Sequence, residues 1–179
     1  MKTILFVLRL ALTLLAITAV VAVALAGVNM ITAPAIAELN AQNTQAAIQA
    51  VLPGGGEELA EFPAVDLVSK VYASETGYAV QVTPGGFDNT ITMMVGVDTE
   101  GKVLGISIIS HTETAGLGAV AAAGTPAGEA FRGSFVGKSG SVSVTKDGGQ
   151  IDAITGATIT SRAVCGGVNA ALEVVAQMG

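Results

Sequence analysis

Apolar positions run almost unbroken through the first part of the chain: from Ile4 to Val28 only Arg9 carries a charge. At about 1.5 Å per residue, a helix over this stretch reaches roughly 37 Å, more than a hydrocarbon core of about 30 Å. The pattern predicts one membrane-spanning helix. Ala24-Leu25-Ala26 before Gly27 also has the small-residue form of a signal-cleavage site, although the apolar core of a signal is shorter, about 7–15 residues. Lys2 and Arg9 are the only cations ahead of the first acid, Glu38. By the positive-inside rule the N-terminus is then cytoplasmic and the chain beyond about residue 29 lies on the outer face.

Past the anchor, apolar residues at 36, 39, 47, 48, 51 and 52 predict a stalk helix over Ala35–Leu52, with Pro34 near its first turn and Pro53-Gly54-Gly55-Gly56 ending it. Glu57–Asp66 reads as a polar connector. The period then becomes two. Val68–Ser74 and Tyr78–Thr83 alternate as strands around Thr76-Gly77, and Thr90–Val97 and Lys102–Ser110 form a hairpin around Asp98-Thr99-Glu100-Gly101. After Ser110 the pattern dissolves into Gly- and Ala-rich sequence with a weak strand over Ser141–Thr145. The chain closes on a helix over Ile159–Met178, with Val164, Val168, Leu172 and Val175 on one face. The expected class is α+β: an antiparallel sheet with a packed C-terminal helix, preceded by a transmembrane helix and a stalk helix. The expected divisions are an anchor over 1–28, a stalk and turn over 29–56, and an outer domain over 57–179.

Composition sharpens this picture. The chain has 179 residues, 51% apolar and 12% charged, where about a quarter charged is usual for a soluble domain. Without residues 1–28, six Lys or Arg face fourteen Asp or Glu, a net charge of −8. An acidic domain of this kind is no nucleic-acid binder. One cysteine, Cys165, excludes an internal disulfide and reads as a small buried apolar residue. A single histidine and that single cysteine argue against a zinc site.

Two stretches carry candidate chemistry. Asp152-Ala153-Ile154-Thr155-Gly156-Ala157-Thr158 stands just ahead of the last helix. A threonine there serves as a cap, accepting an N–H of the first turn. The same geometry suits a phosphate, since free N–H groups and the positive end of the helix dipole stabilise an anion. Gly156 and Ala157 would let the backbone approach it, and the Thr158 hydroxyl offers an attachment point. The second stretch is His111-Thr112-Glu113-Thr114-Ala115-Gly116-Leu117-Gly118. Gly116-x-Gly118-x-x-Ala121 imitates a dinucleotide fingerprint, but its strand belongs to a hairpin and no acid closes a second strand about 20 residues on.

The Asp-x-x-Thr-Gly-Ala-Thr string resembles the flavinylation motif of the covalent FMN-binding domain family, and the His111–Gly118 stretch resembles that family's second motif. With the single anchor and stalk, nearly the whole chain is similar to the G-subunit family of Rnf-type, ion-translocating ferredoxin:NAD+ oxidoreductases. That family is related to the C subunits of the sodium-translocating NADH:quinone reductases. The resemblance implies FMN joined by a phosphoester bond to Thr158, lined by Asp152, Thr155, Gly156, Ala157, His111, Glu113, Thr114, Leu117 and Gly118. It implies an electron carrier with no catalytic or metal-binding residues of its own, coupled to Na+ or H+ movement by the other subunits of a membrane complex. It also implies maturation by a flavin transferase that uses FAD and Mg2+. Tyr72, Tyr78, Phe87, Phe131 and Phe135 are the candidates for stacking on the flavin. Two further readings stand beside it: a stand-alone, membrane-anchored FMN-domain protein, and a flavin-free tether in which Thr158 is only a cap.

Overall fold

The structure is a computed structural model that describes residues 2–178. Met1 and the Lys2 side chain, part of the orientation argument, lie outside the described residues. The chain divides into two compact units, Met1–Gln42 and Asn43–Gly179.

The first unit is helical. Helix α1 runs Lys2–Val51 and carries Pro34 in its interior, so anchor and stalk are one helix and Pro34 does not start a second. The missing Pro34 N–H costs one hydrogen bond toward the previous turn. The large apolar residues described between Ile4 and Leu39 face outward, and within α1 the segment from Phe6 is long and apolar enough to cross a bilayer. A bare apolar helix of this length is stable where lipid replaces water as its solvent.

The second unit is built on an antiparallel sheet of five strands in sequential order: β1 Glu57–Glu58, β2 Val68–Ser74, β3 Gly77–Val82, β4 Thr92–Asp98 and β5 Val103–Ser110. The two expected strand pairs form within a residue or two of their expected ends. At the β4–β5 turn, Asp98 Oδ1 accepts the Glu100 and Lys102 N–H groups at 2.9 and 2.8 Å, the local side-chain bonding that selects Asp for turns. The polar connector is corrected in one respect: Glu57 and Glu58 pair with Ala73 and Tyr72 as β1. The expected strand over Ser141–Thr145 is also absent; Val144 makes a single parallel bridge to Ile151 and a 3-10 turn follows at Thr145–Asp147.

Period-two alternation gives the sheet two apolar faces. Val80, Val82, Met93, Val95 and Val97 face a large core completed by Val164, Val168, Leu172 and Val175 of the C-terminal helix Thr158–Met178, named α3 below. Gly167 lets this helix approach, since a Cβ there would lie 3.0 Å from Val82 and 3.1 Å from Pro84. Phe131 and Phe135 enter the same core edge to face, 5.3 Å between ring centres. Phe131 comes from α2, Pro126–Gly133, a helix the sequence pattern misses. On the opposite face, Ala47, Ile48, Val51 and Leu52 cover Tyr72, Ala79 and Met94. Gly96 permits this, because any Cβ there would overlap the Val51 carbonyl. Each buried Val, Ile, Leu or Met adds about 1.5–3 kcal/mol of apolar transfer.

Candidate functional site

Four pieces of chain meet at the start of α3. They are the loop after β3, the turn after β5, the 3-10 turn Thr145–Asp147 and the first turn of α3 itself. Between them lies a cavity of about 300 Å3, lined by Phe87, Glu113, Thr114, Leu117, Gly118, Lys146 and the run Gly156–Thr160.

Glu113 joins three of these pieces. It is 7% exposed, and its Oε1 accepts the Phe87 and Asp88 N–H groups at 2.8 and 3.3 Å. The Thr160 hydroxyl donates to Oε2. A buried carboxylate persists only when its oxygens are satisfied, and here loop and helix donors satisfy them. Thr114 closes the next turn, its carbonyl accepting the Leu117 and Ala119 N–H groups at 3.2 Å each. Two glycines are sterically required. At Gly118 a Cβ would overlap the Glu113 carboxylate, and Gly156, at φ +76°, would press one to 2.9 Å from Leu117 Cδ2.

The start of α3 is positioned by Ser161. Its hydroxyl accepts the Ile154 N–H at 3.0 Å and donates to the Ala157 carbonyl at 2.9 Å, tying the Ile154–Ala157 turn to the helix. The first α3 N–H to find a backbone acceptor within its own turn is that of Ser161, on Ala157 at 3.0 Å. Those of Thr158, Ile159 and Thr160 precede it and have no such partner among the described residues. Thr158 does not cap them: its Oγ1 accepts from Lys146 Nζ at 3.1 Å. Lys146 is held by its neighbour, because Asp147 accepts Arg162 Nε and an Arg162 terminal nitrogen at 2.7 Å each. That guanidinium holds the Asp147 carboxyl below its ordinary 3.8.

Of the residues expected to line a flavin, the structure brings Thr158, Gly156, Ala157, Glu113, Thr114, Leu117 and Gly118 to this cavity. Asp152 and Thr155 line a second cavity of about 470 Å3 on α2, with Phe131, Gln150 and Ile154. His111 lines neither, and its Nδ1 is buried without a partner among the described residues. Of the five aromatic candidates, only Phe87 reaches the first cavity, 66% exposed; Tyr72, Phe131 and Phe135 are core residues and Tyr78 packs on the core. Cys165 is buried, and burial pushes its thiol up to about 11, which leaves it without chemistry at neutral pH. The sequence motifs miss Lys146, Thr160 and Ser161. Thr160 and Ser161 do leave a signal: they are polar residues in the helical stripe that continues to Val164, Cys165 and Val168.

The cavity is in the size range of small-molecule sites. Leu117, Ile159 and Phe87 offer an apolar wall, while Lys146, the Thr158 hydroxyl and the free α3 N–H groups offer a polar end. That division fits a flavin carrying a phosphate, with the ring on the apolar side and the phosphate at the helix start. Fold and site thus define an α+β protein with, among the described residues, one helix long and apolar enough to cross a membrane and a cavity of the size that small molecules occupy.

Comparison with known proteins gives the particular family. Residues 86–173 match the FMN-binding domain, a span that contains every lining residue from Phe87 to Thr160. The chain is 35% identical to the G subunit of the Na(+)-translocating ferredoxin:NAD(+) oxidoreductase complex of Acetobacterium woodii, over 94% of this chain and 91% of that relative. It is 33% identical to the G subunit of the ion-translocating oxidoreductase complex of Stutzerimonas stutzeri, over 91% and 78%. A proton-translocating counterpart from Clostridium ljungdahlii is 42% identical over 58% of each chain. The chain belongs to the G-subunit family of ion-translocating oxidoreductase complexes.

Proposed function

We propose that this protein is the FMN-carrying subunit of a membrane-bound, ion-translocating ferredoxin:NAD+ oxidoreductase complex, with FMN joined to Thr158 through a phosphoester bond. The observation that carries this reading is the Thr158 hydroxyl. It stands at the start of α3, lines the cavity, and caps nothing, within the region matched to the FMN-binding domain.

When bound, FMN supplies reversible redox chemistry in one- and two-electron steps. The chain supplies the rest. Thr158 fixes the cofactor in place, which matters on an outer face where a dissociated flavin would be diluted away. Leu117, Ile159 and Phe87 cover apolar ring surface, Gly118 and Gly156 permit close approach, and Glu113 holds the surrounding loops. His111, Asp152 and Thr155 lie around this site rather than in it. Asp152 and Thr155, exposed beside the attachment turn, are surfaces for the maturing enzyme.

Attachment requires a flavin transferase with FAD and Mg2+. The Thr158 Oγ–phosphorus bond forms as the pyrophosphate bond of FAD breaks, AMP leaves, and the hydroxyl proton passes to a base on the transferase. The mature protein relays electrons between the redox centres of its neighbours and completes no reaction alone. Its N-terminus is cytoplasmic, α1 spans the membrane within residues 1–28, residues 29–56 form a stalk whose end, Ala47–Leu52, packs on the sheet, and residues 57–179 make up the rest of the extracytoplasmic FMN domain.

Co-expression with a flavin transferase tests the attachment. The expected product fluoresces on a denaturing gel and is heavier by one FMN, and Thr158→Ala abolishes both signals. A colourless wild-type protein under the same conditions would sink the reading. Purification in mild detergent tests the assembly: a member of a complex brings polytopic membrane proteins with it, and a stand-alone FMN protein does not.

A further inference from the structure

Among the described residues Lys146 is the one cavity-lining cation, and nothing in the sequence motifs points to it. It lies twelve residues ahead of Thr158 and on a different element. Its position is nevertheless built. The Thr145 N–H donates to Ile151 at 2.8 Å and the Asp147 N–H to Val144 at 2.9 Å, closing the 3-10 turn. Gly148, at φ +82°, then reverses the chain. Asp147 and Arg162 lock that turn onto α3 through two parallel hydrogen bonds. Arg162 is one helical turn beyond Thr158, on the same side of the helix. A turn registered on Arg162 therefore sets the neighbouring Lys146 over Thr158.

The charges are arranged with equal economy. The other ion pairs among the described residues are Lys70 with Glu58 and Lys102 with Glu100, and Asp147 is taken up by Arg162. Lys146 makes no ion pair among the described residues, and its hydrogen bond goes to a neutral hydroxyl. Glu113, the cavity's carboxylate, is already saturated by backbone and Thr160 donors. Beside the free helix N–H groups, Lys146 makes this end of the cavity a cluster of donors, while Asp147 is engaged by Arg162 and Glu113 by its own donors, so no carboxylate among the described residues bonds Lys146 directly.

We propose that Lys146 is the phosphate-binding residue of the cavity: it selects a phosphate-bearing flavin and, once Thr158 is esterified, neutralises the charge of the diester. The inference rests on Thr158 being the attachment point. An ammonium that donates to Oγ1 cannot take the hydroxyl proton, so Lys146 binds the anion and is not the base of the transfer. Asp147 and Arg162 are positioning residues that act through it.

The test uses the full chain in detergent, flavin-free, titrated separately with FMN and riboflavin and followed by quenching of flavin fluorescence. A charge-assisted hydrogen bond predicts FMN tighter than riboflavin by about tenfold or more. Lys146→Gln brings the ratio close to one by weakening FMN alone, Lys146→Arg retains most of it, and Arg162→Gln lowers it part of the way. The proposal is overturned if the wild type does not prefer FMN, if Lys146→Gln keeps the preference, or if that variant loses both ligands equally, the mark of a purely structural role. The mass of wild type treated with transferase, FAD and Mg2+ is read in parallel. An absent adduct there removes the attachment reading, while the FMN-to-riboflavin ratio still decides the role of Lys146.

Discussion

Two helices of the second unit begin beside a threonine, and the two threonines do opposite things. At α2, Thr125 stands just outside the helix in extended backbone, its hydroxyl accepts the Gly128 N–H at 3.3 Å, and Pro126 follows at a position where a missing N–H costs nothing. That terminus is closed by its own side chain. At α3, Thr158 is the first residue inside the helix, its hydroxyl meets Lys146, and the N–H groups around it stay open. A helix start left uncapped gives up stabilisation that a cap would supply, about 1 kcal/mol. The open terminus, against a cavity, is the one at which the proposed phosphate would find its N–H donors.

The contrast can be broken most severely through the two threonines. Thr158→Ala should lose the FMN adduct completely under co-expression with the transferase, while Thr125→Ala keeps it at full stoichiometry by intact mass. Loss of the adduct in both variants would mean that fold integrity, and not the open terminus, governs attachment. The next effect in size belongs to Glu113. Glu113→Ala strands the donors of Phe87, Asp88 and Thr160, and should lower stability by about 2 kcal/mol, read as a lower Tm of the full chain in detergent. The threonines then reverse their order in stability: Thr125→Ala should cost about 1 kcal/mol and Thr158→Ala less than about 0.5 kcal/mol. Equal losses would show that Thr158 also works as a cap.

The smallest effect is acid dependence. Asp147 ionises below its ordinary 3.8 because Arg162 hydrogen-bonds its charged form. A depressed carboxyl contributes its stabilisation fully above the unfolded value and loses it as pH falls through the lower, folded value. The Asp147 clamp should therefore persist at pH 5 and fail only in stronger acid, below about pH 4. The Arg162→Gln variant, which has no clamp to lose, should show a flatter Tm profile across that acid range than wild type.

Legibility in the sequence follows the strength of local signals. The β4–β5 hairpin is readable because alternation flanks an Asp-initiated turn whose side chain makes the turn's own hydrogen bonds. Helix α3 is readable because Val164, Val168, Leu172 and Val175 repeat at helical spacing over a long segment. Helix α2 is hidden because eight residues hold a single large apolar side chain, Phe131, among Gly and Ala. Strand β1 is hidden because it is only two residues long and both glutamates are exposed, joined to β2 by backbone pairing and by the Glu58–Lys70 ion pair. At the site, the motifs locate Thr158, Glu113 and the glycine-bearing loops. Asp152 and Thr155 line a different cavity from Thr158, on the other side of the αL turn at Gly156. Lys146 has no local signal, since only the Asp147–Arg162 pair brings it to Thr158.

The close seat of Val51 on Gly96 has a practical consequence for anyone who wishes to handle the second unit in water. The compact unit begins at Asn43, so the end of α1 is part of its interior. A polypeptide cut before residue 43 discards the lipid-soluble helix and keeps both sheet faces covered. A cut after the glycines at 54–56 would leave the side of the sheet that carries Ala79 and Met94 bare, an invitation to self-association. The useful scissor site is inside a continuous helix, about two turns before the residue where that helix stops.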